Sequence, residues 1–297
     1  MILILTDSIR GVVSNEETIW SRLQGSIPDA VGISTNSLTV SIKEKLDELK
    51  PTLVLQNANL GYCSEYKTIS FLQDPFIEMI KKCQPLSIFL RSKLRGRETY
   101  QDKLKKQKES LKNSIRVTNS NYMSHMYKEL GDFTVIPLGV DSELFRPMNK
   151  IEMRAKYNIP KDKIVKIFVG SQHPVKGFES IKNMISENPN EFWILVLKDN
   201  RIPDGKNYVV FNKISQNILA ELYNCADLCV SKSVTESFGL SLVEAMFCNI
   251  PVDVPKIGVF WDWNPDMNNP RKSAFEKKLD MNSFIGNWKN FLNKHLE

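Results

Sequence analysis

Thr235-Glu236-Ser237-Phe238-Gly239-Leu240-Ser241-Leu242-Val243-Glu244-Ala245-Met246 is the stretch on which the reading of this chain turns. An apolar run of strand type, residues 227–230, precedes it, and helix formers fill residues 242–246. Gly239 supplies a tight turn between them. The stretch therefore reads as strand, loop and helix. That arrangement presents backbone N–H groups and a helix N-terminus to an anion, normally a phosphate. Glu236 falls in the loop, and Glu244 falls within the first turns of the helix, close enough to face the same crevice. Carboxylates beside a phosphate site do not bind the phosphate; they suit sugar hydroxyls, from which they accept hydrogen bonds.

The rest of the chain narrows the class. It has 297 residues, 42% hydrophobic and 25% charged, enough for two domains. No apolar run approaches a membrane span, and the initial run Met1-Ile2-Leu3-Ile4-Leu5 is too short for a signal peptide. Five cysteines without paired spacing fit reduced thiols and a cytoplasmic setting, and Cys225 and Cys229 have no neighbouring His or Cys with which to hold a metal. A Walker-type phosphate loop is absent. The net charge of +6 is concentrated: residues 81–116 hold twelve Lys and Arg against Glu98, Asp102 and Glu109. Such a segment is a solvated helix, a contact for an anionic membrane, or a seat for a polyanion such as nucleic acid.

Short apolar strands alternate with helical patterns. Strand candidates are residues 2–6, 52–57, 67–73, 86–90, 114–118 and 133–136, then 165–170, 192–197, 208–211, 227–231 and 250–254. Alternation of this kind gives parallel sheets with crossover helices, and two such series give two doubly wound α/β domains with ligands at the strand carboxyl ends. The series breaks at the polar, Pro-containing segment 145–150. The expected division is residues 1–147, 148–276, and a terminal amphipathic helix at 277–297 that packs back on the first domain.

The stretch around Glu236 and Glu244 resembles the E-x7-E motif of the retaining glycosyltransferases of family 4, which have the GT-B fold. Val135-Ile136-Pro137-Leu138-Gly139-Val140-Asp141 resembles the linker signature of that family, with Leu138 at its usual Asn. Gly170, followed by Lys176-Gly177, resembles its first strand and loop of the second domain, although Ser171 stands at the usual Arg. Phe71-Leu72-Gln73-Asp74 occupies the place of a strand-end His-Asp, with Gln73 for the His. The first loop carries one glycine, Gly11, where the family has several. Asn249 replaces another family glycine, and Asn tolerates the left-handed conformation.

The resemblance implies two Rossmann-like domains facing a cleft and a metal-independent hexosyltransferase that retains anomeric configuration. It implies catalytic roles for Glu236 at the donor sugar and Lys176 at the diphosphate. Glu244 is placed at the ribose, and Ser237, Phe238, Gly239, Leu240, Gly170, Ser171 and His173 around the rest of the donor. Gln73, Asp74 and Gly11 are placed on the acceptor or sugar side. No cofactor is implied; the donor is a UDP- or GDP-linked sugar, and the acceptor is a glycan, a lipid-linked compound or another hydroxyl compound. The protein is then cytoplasmic, with peripheral contact to an anionic membrane through residues 81–116 as one use of the basic segment. Two other readings stand beside it: a DNA- or polyanion-directed glucosyltransferase of the same fold, and a catalytically silent nucleotide-sugar binding protein.

Overall fold

A computed structural model describes residues 1–6, 15–62, 64–83, 86–198 and 202–296. The chain divides into two compact units, residues 1–137 with 282–297, and residues 138–281.

The first unit is built on a six-stranded sheet of β1 (Ile2–Thr6), β2 (Ala30–Ser34), β3 (Leu53–Asn57), β4 (Thr68–Leu72), β5 (Ile115–Thr118) and β6 (Thr134–Val135), ordered β2-β1-β3-β4-β5-β6. The second unit holds β7 (Val165–Gly170), β8 (Phe192–Leu197), β9 (Tyr208–Asn212), β10 (Leu228–Val230) and β11 (Val252–Asp253), ordered β11-β10-β7-β8-β9. Every pairing between these strands is parallel. The sequence dictates this: β1, β3 and β4 are continuous, fully buried runs, as strands covered on both faces must be.

One strand expectation changes, and one strand, β2, was not expected. Residues 86–90 do not form a strand; they lie in the helix Leu86–Leu94. A five-residue stretch with four apolar residues does not distinguish the two states, and Leu86, Leu90 and Leu94 recur at helical spacing. β2 carries no strong apolar pattern because it is an edge strand with four half-buried positions and one exposed.

The division also lies elsewhere than at residues 147 and 276. Val140 pairs with Asp280, with backbone bonds from Val140 to Leu279 and from Met281 to Val140. Arg271 donates to the carbonyls of Ser142 and Phe145, and the Phe145 ring meets Tyr223. These bonds hold residues 138–148 to the second unit. Beyond Met281 the final helix, Met281–Leu296, places Trp288 edge-on to Phe71 of β4 at 5.2 Å, and Trp20 packs on the same ring. Among the described residues no helix is long and apolar enough to cross a membrane. Cys83, Cys225, Cys229 and Cys248 are free and buried.

Candidate functional site in the second unit

The strand order of the second sheet reverses at β7. From there β8 and β9 run to one side and β10 and β11 to the other. The loops after β7 and β10 therefore meet at the switch point on the carboxyl edge, the position at which doubly wound sheets bind ligands.

Both loops are short and fixed. After β7, the His173 side chain accepts from the Val175 N–H and caps a single turn, Pro174–Lys176. Gly177 then adopts φ 67° and opens the helix Phe178–Glu187. A Cβ at Gly177 would lie 1.9 Å from the Lys232 carbonyl oxygen, so only glycine lets the two loops approach this closely. The Val234 N–H donates to the Val175 carbonyl across the same gap at 2.8 Å. After β10, the loop closes at Gly239, φ 96°, which opens the helix Leu240–Phe247. Neither helix has a side chain capping its N-terminus. Their first N–H groups and the positive ends of their dipoles are thus available to an anion.

Lys176 and Glu236, sixty residues apart, meet here. The ammonium group donates to Glu236 Oε1 at 2.7 Å. The same oxygen accepts from the Ser233 hydroxyl at 2.7 Å, and Ser233 is braced by Ser231 through its hydroxyl and its N–H. Ser231 and Ser233 are buried, whereas Lys176 and Glu236 are half-buried. A second pair, Lys232 with Asp253 at 2.9 Å, stands beside them. Sequence reading did not find Ser233 or Lys232. The signal for Ser233 was its position three residues before a glutamate in a loop.

The other residues expected at the donor fall around this core in different ways. Gly170 ends β7, and the Ser171 hydroxyl accepts from the His173 N–H. Ser171 and His173 thus shape the Lys176 turn. Phe238 is buried; its side chain belongs to the core, and its carbonyl accepts from the Val259 N–H. Ser237, Gly239 and Leu240 follow the loop into the helix.

Glu244 differs from its expected setting. It is 2% exposed, and its Oε2 lies 3.2 Å from the Tyr223 hydroxyl, which is also 2.7 Å from the Ser241 carbonyl. It is turned into the body of the unit instead of lying open to the crevice. Burial pushes its carboxyl up to about 8, against a smaller opposing effect of the Tyr223 hydrogen bond.

Gln73 and Asp74 lie in the first unit, directly after β4. The Asp74 carboxylate accepts from Asn59, and its carbonyl accepts from Gln107 and Tyr127 at 3.0 and 3.1 Å. Asp74 thus ties the β4 end to the helix Tyr100–Leu111. Gln73 is buried without a partner for either end of its amide. Gly11 lies outside the described residues.

Residues 149–262 match the family model described as glycosyl transferases group 1. D-inositol 3-phosphate glycosyltransferase 2 of Catenulispora acidiphila is 30% identical over 151 residues, 43% of this chain and 35% of that protein. The chain spans about a third of the length of the curated relatives it matches. Among solved structures, sucrose-phosphate synthase of Thermosynechococcus elongatus aligns with a TM-score of 0.74 at 16% identity, covering 99% of this chain and 98% of that one. HepE of Anabaena in complex with UDP-glucose aligns with a TM-score of 0.71 at 14% identity, over 99% and 100%. The fold is GT-B, and the match to the group 1 model falls within the second unit.

Proposed function

We propose that this GT-B protein is a retaining, metal-independent glycosyltransferase that moves a hexosyl group from a nucleotide-diphosphate sugar to an acceptor hydroxyl. The observation that carries the reading is the Lys176–Glu236 pair, set between two uncapped helix N-termini at the switch point of the second sheet.

Each part has a chemical task. Lys176 and the two helix N-termini receive the diphosphate and stabilise its charge as the sugar–phosphate bond breaks. They supply the positive charge that a divalent cation supplies elsewhere. Glu236 lies against the donor sugar and stabilises positive charge developing on its ring. Its tie to Ser233 and Lys176 fixes its position before the substrate arrives. The acceptor attacks from the face the diphosphate leaves, and a leaving phosphate oxygen takes the acceptor proton. The complex of HepE with UDP-glucose supports a donor of this class.

Calorimetry with UDP and GDP in the presence of a chelator tests the reading. One of the two should bind without divalent cation, and Lys176→Met should weaken it about tenfold or more, as loss of a hydrogen bond to a charged group does. Turnover of the matching nucleotide sugar separates an enzyme from a silent binder. Equal affinity in Lys176→Met would remove the assignment.

An anionic membrane surface as the place where the acceptor is met has its own support. Leu90 and Leu94 are 50% and 88% exposed, one turn apart on the helix Leu86–Leu94. Within residues 81–116, Lys81 and Lys82 pair with Glu78, Lys93 with Asp102, Lys106 with Glu98 and Lys112 with Glu109. Arg95, Arg97, Lys105 and Lys108 make no ion pair among the described residues. Exposed leucines flanked by unpaired cations match an interfacial helix better than a solvated one. Sedimentation with phosphatidylserine vesicles should capture the protein, and Leu94→Glu should release it. Duplex DNA binding in place of vesicle binding would favour the polyanion-directed alternative.

A further inference from the structure

Phe260-Trp261-Asp262-Trp263-Asn264 lies in the loop that follows β11. Of the five tryptophans, Trp20, Trp193 and Trp288 are at most 1% exposed, as large apolar side chains of a core are. Trp261 is 38% exposed and Trp263 is half-buried. Two indoles separated by a single residue are thus kept out of the core.

The loop that carries them is fixed in place. Its single turn, Gly258–Phe260, docks on the Glu236 loop. The Val259 N–H donates to the Phe238 carbonyl at 2.9 Å, and a Cβ at Gly258 would lie 2.4 Å from that same oxygen. Phe260 turns inward, 2% exposed, and its ring lies 3.5 Å from where a Cβ at Gly239 would stand. The Trp263 ring stacks on Phe260 with centroids 5.6 Å apart and planes inclined by 21°. The Trp261 N–H donates to the Gly258 carbonyl, and Lys256 donates to the Trp263 carbonyl and the Asn264 side chain. Only two residues of chain on either side of the Val259–Phe238 bond separate Trp261 from Glu236, so the two stand within about 20 Å of each other.

We propose that Trp261 and Trp263 form a saccharide platform, and that the sugar stacked there belongs to the acceptor. The proposal rests on the glycosyltransferase reading and gives its second substrate a chemical class. An indole face is electron-rich, and the pyranose face that carries axial C–H bonds is apolar and weakly positive, so the two stack. The hydroxyls then project sideways, where hydrogen-bonding groups can meet them. Asp262 and Asn264 alternate with the two indoles along the loop, and both are exposed. An apolar face rimmed by hydroxyls therefore matches a rigid ring flanked by a carboxylate and an amide. A ring already held by its loop also loses little freedom when a ligand stacks on it.

Intrinsic fluorescence of the full chain tests this. With the other three tryptophans buried, a change on adding sugar reports Trp261 and Trp263. The probes are maltose, cellobiose and mannobiose, each with and without UDP, and uridine, because a nucleobase also stacks on indole. At least one disaccharide should shift the emission, and should do so equally with UDP bound, since donor and acceptor occupy the protein together. By calorimetry, Trp261→Ala should weaken that sugar about tenfold or more, the usual loss when a stacking ring is removed, and Trp261→Phe should recover most of it. UDP affinity should stay within about twofold in both variants. Should Trp261→Ala fail to fold by circular dichroism, Trp261→Gln decides in its place. The proposal is overturned if no disaccharide shifts the emission, or if the variant without the ring binds as the unmodified chain does. Displacement of the sugar by UDP overturns it by putting the sugar at the donor, and uridine binding that is lost in Trp261→Ala overturns it by making the platform a base site. Failure of UDP to bind the unmodified chain would count against the glycosyltransferase reading, while sugar binding lost in Trp261→Ala would still establish the platform.

Discussion

The two sheets end in opposite states. At the carboxyl edge of the second, the polar groups are already paired: Lys176 with Glu236, Glu236 with Ser233, Ser233 with Ser231, and Lys232 with Asp253. At the carboxyl edge of the first, Asn57, Gln73 and Asn119 hold polar atoms with no partner. The difference follows from charge. An ammonium and a carboxylate cannot wait unpaired in a half-buried site, because desolvating an ion costs far more than desolvating an amide. Neutral amides can wait. A paired edge is organised before its ligand arrives, which suits groups that must stabilise a charge forming in a transition state. An unpaired edge leaves its buried polar groups to be met by something outside the fold's own hydrogen bonds.

The strongest way to break this contrast is at Glu236. Glu236→Gln keeps the shape and a hydrogen bond to Ser233 but removes the charge. Turnover should fall about 10²–10³-fold, the usual cost of losing one preorganised electrostatic group. UDP affinity should stay within about twofold, since the interaction is made with the sugar and chiefly in the transition state. Steady-state kinetics with calorimetry on the same preparation checks both. Full turnover would mean that the paired edge is a structural feature and not a catalytic one.

Next in size is Gly177→Ala. The new Cβ would meet the Lys232 carbonyl at 1.9 Å in a backbone held at φ 67°. Both the clash and the left-handed conformation oppose it, and the loss should be about 2–4 kcal/mol of stability. Chemical denaturation measures this. Separation of the two loops should also move Lys176 away from Glu236 and weaken UDP. An unchanged midpoint would show that the loops do not depend on this approach.

How much of this the sequence displayed varies by element. The loop and helix around Glu236 were legible because glycine, two glutamates and an apolar series occur at motif spacing, and the fold was legible because its strands are short, buried and regularly interrupted by helices. Asn249, read as a left-handed substitute for glycine, has φ 63°. Residues 86–90 of the helix Leu86–Leu94 were read as a strand because a short, mostly apolar stretch fits either state. The edge strand Ala30–Ser34 lacked a pattern because half of its surroundings are solvent. Ser233 and the unmet amides were invisible for a different reason. Hydrogen-bond partners are set by register and loop closure, which place Gln73 beside Asn119 although forty-six residues separate them.

Glu244 is the exception on the paired edge, a carboxyl that the structure holds near neutrality. Its ordinary value of 4.5 is pushed up to about 8 by burial. The folded chain therefore binds this proton more tightly than the unfolded chain does between those two values. Stability from this group is full below pH 4.5 and is lost as pH rises toward 8. Glu244→Gln should flatten that part of the profile. If the carboxylate also accepts from ribose, nucleotide binding near pH 7 should release a proton and tighten as pH rises. The Gln variant should lose that dependence and bind UDP about tenfold more weakly. Calorimetry in buffers of different ionisation enthalpy detects the proton. Pairing of UDP binding with no proton release would separate Glu244 from the ribose.

The smallest effects compare the two edges directly. Ser233→Ala removes the hydroxyl between Ser231 and Glu236 and leaves a half-buried carboxylate oxygen short of one donor. It should lower stability by about 1–2 kcal/mol, because a partner is lost while the charged group remains. Asn119→Leu removes an amide that has no partner to lose, and it replaces two unsatisfied polar atoms with an apolar side chain of similar size. Without acceptor, that change should leave stability within about 0.5 kcal/mol or raise it, since substituting an unmet polar group by an apolar one of the same shape is near neutral or stabilising. The two variants are both at buried positions beyond the carboxyl ends of parallel strands, so burial alone predicts losses of the same order. Thermal unfolding of both, in ligand-free buffer, separates the explanations. A loss in Asn119→Leu as large as that in Ser233→Ala would mean the amide is already satisfied by ordered water. The contrast between a paired and a waiting edge would then lose its physical basis. A gain in Asn119→Leu would show that the unmet amide costs the fold stability.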